Sequence, residues 1–118
     1  MPIAKRSDME VIPMGADRAV LDIKRAYSAF EFTRLCAGVI PREMEDKWFV
    51  FYEEPWLYVS QSWTSLCIYE VRFEQTPAGV RIAEAFVRAA PGQNPDYTSD
   101  IHILGRKLDF WAGPNSVK

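Results

Sequence analysis

The chain has 118 residues, 48% of them hydrophobic and 25% charged, with a net charge of -2. That length suits one domain whose core needs no metal or disulfide staple. The near-neutral balance gives no footprint for nucleic acid or an anionic membrane, and no apolar run reaches the roughly 20 residues of a membrane span.

Residues 1–15 read as a loose lead-in, punctuated by Pro2, Pro13 and Gly15, with no apolar signal-peptide core. Asp17 is a plausible N-cap for a helix over residues 17–36, because Val20, Ile23, Tyr27 and Phe30 fall at helical spacing. Gly38 can end that helix and Pro41 opposes its continuation. A charged connector, residues 42–46, follows.

Four strands come next. Residues 47–52 are β-branched or aromatic and apolar on both faces, which predicts an interior strand. After a turn at Glu53-Glu54-Pro55, residues 56–60 form the second strand. The turn Gln61-Ser62-Trp63-Thr64-Ser65 leads into residues 66–74, where Cys67, Tyr69, Val71 and Phe73 alternate with Glu70, Arg72 and Glu74. Arg72 is most simply half of a cross-strand ion pair. Thr76-Pro77-Ala78-Gly79 reads as a hairpin turn, which favours strand over helix for residues 80–89. In the last segment Ile101, Leu104, Leu108 and Trp111 share one helix face, with Gly105 weakening the helix by about 1 kcal/mol. The expected fold is α+β: an antiparallel four-stranded meander between an N-terminal and a C-terminal helix (α-β-β-β-β-α), both helices on one face and all in one domain.

Catalytic chemistry finds little support. There is one histidine, His102, and the cysteines Cys36 and Cys67 stand far apart in apolar company, so a metal site is not expected and reduced, buried thiols of a cytoplasmic protein are. No nucleophile elbow, phosphate loop or dinucleotide fingerprint is present, and no cofactor is expected. Glu43, Glu45, Asp46, Glu53 and Glu54 flank the first strand and have ready access to water. Trp63 differs from the other tryptophans, since it sits among small polar residues in a turn; the cost of an uncovered indole favours its folding back over the sheet.

The run Met44-Glu45-Asp46-Lys47-Trp48-Phe49, then Ser62-Trp63-Thr64, then Ile68-Tyr69 resembles a family of small bacterial proteins whose pattern reads Glu-Asp-Lys-Trp-Phe, Arg-Ser-Trp-Thr-Gly, Ile-Tyr. The resemblance covers about residues 44–74; Gln61 replaces the pattern's arginine and Ser65 its glycine. The family has no settled activity, and its members sometimes accompany ADP-ribose-processing proteins.

The leading expectation is a binding module for a protein partner or for itself, with Trp56 and Trp63 as anchor and Gln61, Thr64 and Arg72 as rim. If the helices cover one sheet face, Trp48, Trp56 and Tyr58 on the other would need a second copy to cover them. The alternative is a small-molecule binding protein or enzyme, for a nucleotide or ADP-ribose, using a pocket between the sheet and the helices with Glu45, Asp46 and Lys47 at its mouth.

Overall fold

Burial alternates with period two along residues 67–74, the mark of a strand with one face packed and the other nearer water. A computed structural model describes residues 3–9, 11–15, 18–41, 47–89 and 97–113. In chain order the elements are β1 (Arg18–Val20), β2 (Ala26–Tyr27), α1 (Ala29–Ala37), β3 (Trp48–Glu53), β4 (Trp56–Gln61), β5 (Cys67–Thr76), β6 (Gly79–Arg88) and α2 (Thr98–Ala112). The sheet is antiparallel with strand order β1-β6-β5-β4-β3, and β2 also pairs with β6. The α+β class and the meander β3–β6 are as expected, and residues 79–88 are strand. Among the described residues the sheet has six strands, however, not four.

The two extra strands come from the segment expected to begin a long helix. Leu21 and Ile23 are buried while Asp22 and Lys24 are exposed, a two-residue alternation that outweighs the wider spacing of Val20, Ile23, Tyr27 and Phe30. Val20 and Phe30 are in fact exposed. The helix starts only at Ser28, whose hydroxyl accepts from the Glu31 amide while the Glu31 carboxylate accepts from the Ser28 amide. Asp17, the expected cap, lies outside the described residues. The helix ends at Gly38 as expected, at φ 72°.

Leu35 of α1 and Leu104, Leu108 and Ala112 of α2 share one buried cluster with Val50, Leu57, Val71 and Phe73, so both helices cover the same sheet face. Two tyrosines pin α2 there. Tyr69 donates to Asp100 at 2.7 Å near the helix start, and Tyr27 donates to Asp109 at 2.8 Å near its end. Arg25 reaches Asp109 at 3.4 Å, and a Cβ on Gly105 would stand 2.8 Å from that guanidinium. The glycine that weakens the helix thus makes room for the arginine crossing it.

The opposite face is not bare. Ala4 is buried with Phe49 and Phe51, and Met9, Val11, Ile40 and Tyr58 pack on them. The Ala4 amide donates to the Ala37 carbonyl, Arg6 lies over the Phe51 and Tyr58 rings, and Ile12 bridges to Leu66. The residues expected as a loose lead-in form this cover. Trp48 is on the helix face, since it pairs with Gln61 and alternates with Phe49, so Trp48, Trp56 and Tyr58 do not form one surface. β3 stands last in the sheet order rather than inside it, although both its faces are covered.

Candidate functional site

The sheet end formed by the start of β3 and the β4–β5 turn gathers four of the expected site residues. The turn is closed by its own polar groups. The Ser65 amide donates to the Gln61 carbonyl, the Thr64 hydroxyl donates to Gln61 Oε1 at 2.8 Å, and the Leu66 amide donates back to Thr64 Oγ1. Ser65 sits at φ 63°, in the left-handed region that favours glycine. The Ser62 amide donates to the Lys47 carbonyl, which ties the turn to β3. Trp63 does not fold back: it is 60% exposed, and Lys47 Nζ stands 5.6 Å from its ring centre. Gln61 and Thr64 therefore shape the turn, and Trp63 and Lys47 are the surface it offers.

Trp56 and Arg72 lie elsewhere. They pair with each other across β4 and β5, at the other end of β4 from Gln61. Trp56 is half-buried against Phe86, and Arg72 is in the expected cross-strand ion pair, with Glu84 of β6 at 2.6 Å. The structure thus separates the expected anchor pair Trp56 and Trp63. Glu45 and Asp46 lie outside the described residues.

Next to Lys47, the Trp48 side chain opens a groove that the sequence reading passed over. An open groove of about 430 Å³ is lined by Trp48, Ile103, Arg106, Lys107, Phe110 and Trp111. The inner stripe of α2 is Leu104, Leu108 and Ala112; Ile103 and Phe110, seven apart, mark a second stripe pointing outward. Phe110 is 73% exposed. Lys107 Nζ lies 4.8 Å from the centre of the Trp48 ring system, and partial burial lowers its pKa. The signal was legible: two apolar residues at helical spacing on the side of Arg106 and Lys107, away from the buried stripe.

A wider cleft, about 790 Å³, runs between residues 20–26 and strands β5 and β6. Its arginines are already engaged: Arg25 with Asp109, Arg72 with Glu84, Arg81 with Glu74. Among the described residues no group of histidine, cysteine and carboxylate side chains could hold a metal ion. Burial raises the pKa of both thiols, Cys36 to about 11 and Cys67 to about 12, the opposite of what a nucleophile or redox centre needs. No described helix is long and apolar enough to cross a membrane.

No protein-family model, curated protein or solved structure matches the chain, so its own geometry carries the functional reading.

Proposed function

We propose that this protein works by binding another protein, and that the contact surface is the outward stripe of α2 with Trp48. The observation that carries this is Phe110, an aromatic side chain 73% exposed on a helix whose opposite side is fully packed. Aromatic side chains that flank a groove and are rimmed by cations have the composition of a binding hot spot. Trp63 and Lys47 extend the same end of the sheet. The paired arginines of the wider cleft leave less charge for a phosphate, which ranks the nucleotide or ADP-ribose reading second. Self-association through Trp48, Trp56 and Tyr58 ranks lower, because Trp48 lies on the helix face and Tyr58 packs with the Ala4, Phe49 and Phe51 cluster.

A peptide-display selection tests the reading. Sequences selected on the wild-type protein should lose binding to a Phe110→Asp variant that melts like the wild type. Selection that enriches nothing, or only sequences indifferent to Phe110, would count against it.

A further inference from the structure

Charge is divided across α2 in a way that specifies what the groove accepts. The helix carries two carboxylates, Asp100 and Asp109, and both are held on the flanks of its packed side, by Tyr69 and by Tyr27 with Arg25. Its two basic residues, Arg106 and Lys107, line the groove between Ile103 and Phe110. Lys47 adds a third cation at the same end of the sheet, in a chain whose net charge is -2. The groove is therefore a local reversal of the molecule's charge around an apolar floor.

Building on the binding-module reading above, we infer that the groove takes an acidic amphipathic segment of the partner. Its apolar anchors rest on Trp48 and Phe110 and its carboxylates reach Arg106 and Lys107. A helix laid in a groove meets it at i, i+3, i+4 and i+7, a spacing that matches the Ile103–Phe110 stripe. Lys107 is poised for this role. It already stands over Trp48, partly withdrawn from water, so a carboxylate arriving there gains a counter-ion whose desolvation is partly complete. A second copy is a poor occupant, because a two-fold contact would set Arg106 and Lys107 against their own kind. Nucleic acid asks for a broader basic footprint than these three cations in an acidic chain.

The test uses the full chain and two labelled helical peptides with the same leucine and tryptophan spacing, one with glutamate and aspartate at its polar positions, the other with lysine and arginine. Fluorescence anisotropy should show the acidic peptide binding at least about tenfold more tightly at low salt, with the preference fading as salt screens it. Arg106→Glu with Lys107→Glu should invert the preference, and Phe110→Ser should weaken both peptides while circular dichroism stays unchanged. Equal affinity for the two peptides would overturn the acidic specificity and leave protein binding standing. Binding of neither peptide, together with an empty display selection, would take down both. Tighter binding of a thymidine oligonucleotide, or a dimer in sedimentation velocity that Phe110→Ser abolishes, would overturn the inference in favour of that other occupant.

Discussion

Tyr69 stands in a central strand and Asp100 in the first turn of the last helix, and the 2.7 Å bond between them fixes where α2 lies on the sheet. The bond is part-buried and its acceptor is a carboxylate, so it contributes more than an exposed pair. Tyr69→Phe is expected to cost about 1–2 kcal/mol in urea denaturation, less than a cavity in the core would. Tyr27→Phe should cost a similar amount through Asp109, and the two losses should add, since the bonds share no residue. A strongly non-additive double variant would show that α2 docks all or none.

The outward face of the helix should behave differently. Phe110→Ser is expected to leave stability within about 0.5 kcal/mol of wild type, while Leu108→Ala, in a fully buried site, should cost about 2–5 kcal/mol. Thermal melts of the two variants check this. A large loss from Phe110→Ser would mean that the ring supports the fold and would weaken its assignment to a partner.

Gly38 predicts a larger effect than a turn glycine usually gives. Its φ of 72° suits few other residues, and a Cβ there would stand 2.1 Å from the Val50 carbonyl oxygen, inside the mutual bonds between Val39 and Val50. Gly38→Ala is expected to destabilise by at least about 2 kcal/mol, combining backbone strain with a displaced edge of the sheet. Chemical denaturation measures it; a neutral result would place the clash in error.

The Arg6–Glu53 pair gives a pH signature. The hydrogen bonds from Arg6 lower the Glu53 pKa from its ordinary 4.5. A carboxylate depressed in the folded state contributes stability above its unfolded value and loses it as pH falls through the folded one. Wild type should therefore exceed Glu53→Gln in stability at pH 6 to 7, by less than about 1 kcal/mol because both groups are nearly half exposed, and the difference should vanish toward pH 2. A gap that persists in strong acid would exclude the ion pair as its source.

Thiol chemistry should be slow. With Cys36 pushed up to about 11 and Cys67 to about 12 by burial, little thiolate exists near neutrality. Neither should react quickly with a disulfide reagent at pH 7 until guanidinium unfolds the chain; immediate labelling of Cys67 in the native protein would contradict its burial.

The meander was legible because runs rich in aromatic and β-branched residues at 48–52, 56–59 and 67–73 are parted by short polar turns, and the turn at residues 76–79 carries a proline and a glycine. Strands β1 and β2 were not, since three and two residues are too few for a period to stand out against a competing helical spacing. The Ser28–Glu31 capping box was readable and would have moved the helix start. Of the site, Lys47 and Trp63 do meet, whereas Trp56 and Trp63, expected as one anchor, are divided by a strand's length. The groove does not follow from the buried stripe of α2, because Ile103 and Phe110 lie on the other side of the helix.

The cover on the sheet's second face bears on how the chain is made. Residues 3–9 leave the ribosome before their partners, since Ala4 and Arg6 pack on Phe49, Phe51 and Tyr58, and the carbonyls of Ile12 and Pro13 accept from Arg88. The cover on this face is therefore complete only once Tyr58 is available, and the Ile12–Pro13 anchor only once Arg88 is. Docking of residues 3–9 and 11–13 on this face is therefore a late step of folding rather than its beginning.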